Sequence, residues 1–224
     1  MTALNVKQSP QHERDPPSAA RGDCGQSGKQ FPARCRKADP IMRAIIDQVG
    51  PAQLRSERNR FAMLVRSIIS QQISVGAARS IRRRLEELVA PDKVTPESLQ
   101  RFTPQQLRSA GLSQQKTSYI LDLANKTSQG EVVLRTIGRR PDEAVIEELT
   151  KVKGIGRWTA QMFLMFALSR LDVFPAADLG IRMAIRNQYG LSDLPDNQTS
   201  HEIAETWHPY ATVASWYLWR SLDL

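Results

Sequence analysis

Apolar residues recur along most of this chain with the period of an α-helix, and the recurrence begins only after residue 37. Asp39-Pro40 opens a first pattern, with Met42, Ile45 and Ile46 on one face, the aspartate in a capping place and the proline at the first helical position. Phe61, Leu64, Val65, Ile68 and Ile69 follow at the i, i+3, i+4, i+7, i+8 spacing of a helix that packs one stripe on a core. A third pattern turns Ala77, Ile81, Leu85 and Leu88 inward and Arg79, Arg82, Arg83 and Arg84 outward, an arginine row that reads most simply as a solvated face. Thr95-Pro96 and Thr103-Pro104 are two further helix starts, leading to short turns around Leu99 and Leu107. The turn Ala110-Gly111-Leu112-Ser113 precedes Lys116 and a helix carrying Tyr119, Ile120, Leu123 and Ala124; it suits a phosphate contact and core packing equally well. No alternating run of β-branched residues is long enough for a strand, since Glu131-Val132-Val133-Leu134 is too short. The expected class is all-α.

The rest of the chain is organised around Glu148 to Asp178. One helical pattern (Val145, Ile146, Leu149) stops at Lys153-Gly154-Ile155-Gly156, and a second (Ala160, Phe163, Phe166, Ala167) starts just after it. A helix, a tight turn and another helix follow from that spacing. Glycine lets the backbone come close to a ligand, and the amides opening the second helix lack intrahelical partners at its positive dipole end, which suits a phosphate oxygen. Lys151 and Lys153 reinforce the charge, although glycine as a simple helix C-cap explains a lone GxG as well. Downstream, Pro175 ends an extended run and Asp178 precedes the spacing Ile181, Ala184, Ile185, so Asp178 falls at a helix N-cap.

Composition narrows the function classes. The 224-residue chain carries a formal net charge of +8, with a pI near 9.9, which argues for an anionic partner and for nucleic acid before membrane. Residues 1–37 hold seven Lys/Arg against three Asp/Glu, leaving 24 against 20 elsewhere, so local patches, not a global field, would have to hold a nucleic acid. That segment, rich in Ser, Gly, Pro, Gln and Arg, reads as a disordered basic tail preceding a helical domain over 38–224. Cys24 and Cys35 both lie in the tail, which excludes a cysteine-held zinc site or an iron-sulfur cluster. The absence of an apolar run near ~20 residues and of a secretory leader makes a cytoplasmic protein, or a nuclear one in a eukaryote, the expectation.

The run LTKVKGIGRWTAQMFLMFAL followed by DVFPAADLGI resembles the helix-hairpin-helix and Gly/Pro-Asp signature of the HhH-GPD DNA glycosylase superfamily. Within it, GIGRWTA and the tryptophan-rich C-terminal helix look most like 3-methyladenine DNA glycosylase II, of the AlkA-like type, with similarity from about Phe61 to Trp219. The resemblance implies a two-lobed helical bundle with the hairpin on one lip of a cleft and the aspartate in its wall. It implies DNA contacts from Gly154, Ile155, Gly156, Lys153, Arg157 and Thr159, and a monovalent cation (Na+ or K+) held with DNA by the main-chain carbonyls of Thr150, Val152 and Ile155. The polar stretch Ser70-Gln71-Gln72-Ile73-Ser74 falls where the family places a minor-groove wedge; any of Gln71, Gln72 and Ser74 could insert, and a polar helix end is the plainer reading.

For the substrate pocket the resemblance implies Trp158 and Trp219, with Met162 and Leu179 where relatives often carry tyrosines, and Asp178 as the catalytic carboxylate. Tryptophans at i and i+3 are usually core, so one of Trp216 and Trp219 is expected only to pack. Trp158 occupies the place of the Schiff-base lysine of bifunctional relatives, so the implied enzyme is monofunctional and leaves an abasic site. Asp172 is expected at a structural position, and His201 and His208 at the surface or in caps. The implied function is base excision repair: flipping alkylated purines, 3-methyladenine and 7-methylguanine, out of damaged duplex DNA and hydrolysing their glycosidic bonds, as a monomer. A glycosylase for an etheno adduct, uracil or an oxidised purine is the enzymatic alternative, and a non-catalytic damaged-DNA-binding protein is the alternative from another class.

Overall fold

The computed structural model describes residues 38–224; the tail expectation for 1–37 lies outside the described residues. Eleven α-helices and two 3-10 turns, with no strand among the described residues, give the all-α class. They fall into two compact units, Asn59–Ala160 and a second made of 38–58 with Gln161–Leu224.

The first unit, which follows α1 (Pro40–Val49) in the chain, contains α2 (Arg60–Ser70), α3 (Val75–Val89), α4 (Pro96–Gln100), α5 (Pro104–Ser109), α6 (Gln114–Ser128) and α7 (Asp142–Thr150). Helix α6 is its hub: α2, α4 and α5 all pack on it, and α3 packs on α2. Leu64, Ile68, Leu85, Leu99, Leu107, Ile120, Leu123, Val145 and Leu149 form the core. Both threonine-proline starts close full capping boxes, with Ser98 and Gln106 reaching back to the cap backbone. The inward face of α3 is Ala78, Ile81, Leu85 and Val89, one residue on from the expected Ala77 and Leu88, because Ser74 caps the helix and places Ala77 in the exposed first turn. Its arginines are largely outward as expected, with Arg82 and Arg83 paired to Glu86 and Glu87 one turn on, but Arg84 Nε donates to the Ala110 carbonyl at 2.9 Å. One unexpected member of the interior is Glu148, whose Oε1 accepts the Val133 N–H at 2.7 Å and whose Oε2 pairs with Arg140.

The second unit contains α1 (Pro40–Val49), α9 (Leu179–Tyr189), α10 (Asn197–Ala204) and α11 (Ala211–Ser221); α8 (Arg157–Phe166) begins in the first unit and continues into this one. Helix α11 packs on both α1 and α9. Asp39 does more than cap: Oδ1 accepts the Met42 N–H at 2.9 Å, while Oδ2 accepts the Tyr189 hydroxyl at 2.5 Å and Trp207 Nε1 at 3.0 Å. That buried carboxylate ties α1 to α9 and to the turn after α10. Asp172 is structural as expected, bonded to His208 Nδ1 at 2.8 Å and to the Ala211 N–H that opens α11 at 3.2 Å.

Candidate active site and nucleic-acid interface

In the first unit the turn between α7 and α8 is built by short-range backbone bonds. The Val152 N–H donates to Leu149 O and the Ile155 N–H to Val152 O, both at 3.1 Å, and Ala160 N–H is bonded to Gly156 O at 3.1 Å. Gly154 has φ +79°, a left-handed angle that L side chains rarely adopt, and a Cβ there would lie 2.0 Å from Tyr119 Cδ2. Gly156 needs no such angle, and a Cβ on it would meet nothing within 4 Å. The first glycine is required by the fold; the second leaves open space in front of the opening amides of α8.

Ile155 and Thr159 have buried side chains, and Lys153 is exposed. Lys153's own N–H is taken by Asp122 Oδ2 at 2.8 Å. Arg157 makes a two-pronged pair with Glu143, at 2.9 and 2.5 Å, which raises the arginine pKa and holds the Glu143 carboxyl below the usual carboxylate range. Of the expected cation donors, Thr150 is the last residue of α7, and Val152 and Ile155 lie on this turn. A carbonyl oxygen has two lone pairs, so Val152 O, already accepting one N–H, keeps a second for a hard monovalent cation.

The stretch 70–74 joins α2 to α3, and its three polar candidates part company. Gln71 Nε2 donates to the Gly154 carbonyl at 2.9 Å, and Ser74 caps α3 by accepting the Ala77 N–H at 3.3 Å. Gln72 is exposed and has φ +57°, one of two non-glycine residues with positive φ among those described. Lys116 does not face outward from the preceding glycine turn; its Nζ donates to the Ile69 carbonyl at 2.6 Å.

In the second unit Asp178 is the N-cap of α9 and is 8% exposed. Its Oδ1 accepts two N–H bonds, from Ile181 at 2.8 Å and from Trp219 Nε1 at 2.9 Å. The helix N-terminus favours negative charge at that place. Trp219, 9% exposed, stands with its ring centroid 6.2 Å from that of Phe166. Gly180 makes the approach feasible: a Cβ there would lie 3.1 Å from Asp178 Oδ1 and 3.2 Å from Trp219 Cδ1. Trp216 packs on Tyr217 and carries the Arg220 guanidinium 5.4 Å from its ring centroid, whereas Trp219 is the tryptophan bonded to Asp178. Leu179 is 38% exposed beside Asp178, whereas Met162 is 4% exposed, inside the apolar packing of α8.

The family profile described as HhH-GPD superfamily base excision DNA repair protein matches residues 65–209, more than half of the chain and all of the hairpin-to-aspartate segment. The chain belongs to that superfamily. Its relatives in the HhH-GPD family include the DNA-3-methyladenine glycosylase 1 of Schizosaccharomyces pombe, 32% identical over 182 residues that cover 80% of each chain. Another is a Bacillus subtilis protein named a putative DNA-3-methyladenine glycosylase, 30% identical over 186 residues that cover 80% of this chain and 65% of that protein. Among solved structures, a DNA-3-methyladenine glycosidase from Bacillus halodurans superposes with a TM-score of 0.77 at 36% identity, covering 85% of this chain and 88% of that one. The S. pombe 3-methyladenine DNA glycosylase in complex with abasic DNA has a TM-score of 0.77 at 30% identity, covering 87% and 97%.

The apolar spacing of this HhH-GPD chain marks Tyr119 only as a helix-face residue and gives no role to Gly180, Asp122 or Glu143. A glycine two residues after a capping aspartate was the visible signal for Gly180; the partners of Tyr119 and Asp122 lie on a distant turn and left no local sign.

Proposed function

We propose that the protein is a monofunctional DNA glycosylase of base excision repair that removes alkylated purines, 3-methyladenine and 7-methylguanine, from duplex DNA. The observation that carries this reading is the buried, doubly anchored carboxylate of Asp178. A glycosidic bond is out of reach inside a stacked duplex, so the nucleotide must first be extruded, at a cost of a few kcal/mol that is smallest for a damaged base. The opening amides of α8 behind Gly156, helped by Lys153 and Arg157, grip a phosphate, which makes binding salt-dependent and indifferent to flanking sequence. Where a Na+ or K+ sits on the carbonyls of Thr150, Val152 and Ile155, it supplies positive charge to the same phosphate. Of the three wedge candidates, Gln72 is the one that enters the vacated stack, because Gln71 and Ser74 are spent on holding the loop.

Chemistry follows from charge and shape. Departure of the base leaves an oxocarbenium-like sugar, and a fixed carboxylate stabilises it where water is scarce. Trp219 and Ile181 hold Asp178 Oδ1, so the carboxylate does not have to reorganise as positive charge develops. Alkylation at N3 or N7 makes the purine cationic, a better leaving group and a better partner for an electron-rich aromatic face such as Trp158. With tryptophan at 158 instead of lysine, no amine is placed there to attack C1′, and the product is an intact strand with an abasic site. The test is release of 3-methyladenine and 7-methylguanine from N-methylated duplex, with strand breaks scored before and after alkali. Release with breaks only after alkali is expected; breaks without alkali would overturn the monofunctional reading, and release only from etheno, uracil or oxidised duplexes would overturn the substrate class.

A further inference from the structure

The wedge loop and the hairpin turn lie 83 residues apart at Gln71 and Gly154, yet Gln71 bonds to Gly154 directly, and a single helix holds both the turn and the end of α2 that leads into the loop. Helix α6 presents Lys116, Tyr119 and Asp122 at i, i+3 and i+6, on one face. Lys116 Nζ donates to the Ile69 carbonyl at 2.6 Å, in the last turn of α2 just before the loop. Partial burial lowers the Lys116 pKa, in keeping with an ammonium turned onto a carbonyl instead of out to solvent. The ring of Tyr119 fills the space that a side chain at 154 would need, and its hydroxyl accepts Gln115 Nε2 at 2.6 Å. Asp122 Oδ2 accepts the Lys153 N–H at 2.8 Å and lies 3.7 Å from Lys126 Nζ. Gln71 closes the circuit by donating to the carbonyl of Gly154 itself.

We infer that α6 locks the wedge loop and the phosphate-gripping turn into one rigid piece, with Gln71, Tyr119 and Asp122 as positioning residues for DNA engagement. The inference rests on the reading of Gln72 as the wedge given above. Two separate contacts held this way cannot adjust to the duplex independently. Gripping a phosphate puts Gln72 at a set offset along the strand, and insertion succeeds only where the base pair at that offset yields. A weakened pair is thereby selected before any chemistry takes place.

A double-mutant cycle on a duplex containing a tetrahydrofuran abasic analogue opposite 2-aminopurine tests this. Gln72→Ala perturbs the wedge and Gly156→Ala the grip; Kd comes from fluorescence anisotropy and insertion from the 2-aminopurine signal, with thermal melts confirming that each variant folds. In the otherwise wild-type protein the combined loss of affinity is expected to be about fivefold smaller than the product of the single losses, within the coupling range of residues sharing one network. In a Gln71→Met background, which keeps the chain length and removes the amide, the losses are expected to multiply; Asp122→Ala, which removes the acceptor of the Lys153 N–H, provides the same test should Gln71→Met not fold. Multiplicative losses already in the wild-type background would overturn the coupling alone. An unchanged 2-aminopurine signal and Kd in Gln72→Ala would overturn the wedge reading and the coupling with it.

Discussion

The two hairpin glycines are present for different reasons, and alanine at each should separate fold from function. At Gly154 the backbone sits at φ +79° and a new Cβ would be 2.0 and 2.3 Å from Tyr119 Cδ2 and Cε2. The left-handed angle costs an L-residue about 1–2 kcal/mol, and forcing the ring aside adds about 1–3 kcal/mol of overpacking. The sum, about 2–5 kcal/mol, is a large share of a stability of about 5–15 kcal/mol. For a chain of this size it should lower Tm by roughly 4–20 °C. At Gly156 a Cβ meets no protein atom within 4 Å, so Gly156→Ala should leave Tm within about 2 °C of wild type. The methyl group instead occupies the space in which a phosphate must approach the α8 amides. Loss of a hydrogen bond to a charged group is worth about 1.5–3 kcal/mol, so duplex affinity should fall about 10- to 100-fold. Thermal melts and anisotropy titrations at fixed salt read the two effects. Wild-type affinity in Gly156→Ala would refute the close approach of a phosphate, and wild-type stability in Gly154→Ala would refute the packing of Tyr119.

Gly180→Ala should push Trp219 off Asp178 by a few tenths of an ångström and slow single-turnover base release roughly tenfold with duplex Kd unchanged, since misplacement by ~1 Å costs on the order of 100-fold. Glu143→Gln frees Arg157 from its ion pair and should tighten duplex binding about two- to fivefold at low salt, an advantage that titrations at rising ionic strength should show disappearing. Asp39→Ala removes an N-cap worth about 1 kcal/mol and leaves the Trp207 indole N–H without its carboxylate, another ~1–3 kcal/mol. Chemical denaturation should therefore show a loss of about 2–4 kcal/mol in the second unit's anchor.

The parts legible from sequence were those whose cause is local. The threonine-proline starts, the Asp39 and Asp178 caps and the glycine turn each depend on neighbours within four residues, and each stands where the spacing placed it. The α3 face lies one residue on from the apolar spacing because Ala77 carries little hydrophobic signal to set the helical phase, while the Ser74 cap that sets it is a side-chain bond to the Ala77 N–H. Tyr119 read as core; its neighbour is the missing side chain of Gly154, an absence that no apolar pattern registers. The second roles of the two aspartates were equally hidden, since Trp207 lies 168 residues from Asp39 and Trp219 lies 41 from Asp178. Polar groups in an interior must find partners, but sequence does not say which distant residue supplies them.

The central claim is that the charge of Asp178, and not merely its shape, drives base release. Asp178→Asn keeps an oxygen for the Ile181 and Trp219 N–H groups and removes only the charge. Single-turnover release of 3-methyladenine and 7-methylguanine from a methylated duplex, measured beside Kd for the abasic-analogue duplex, should fall at least about 100-fold while Kd changes by less than about threefold. Release at the wild-type rate from the folded variant would contradict the account.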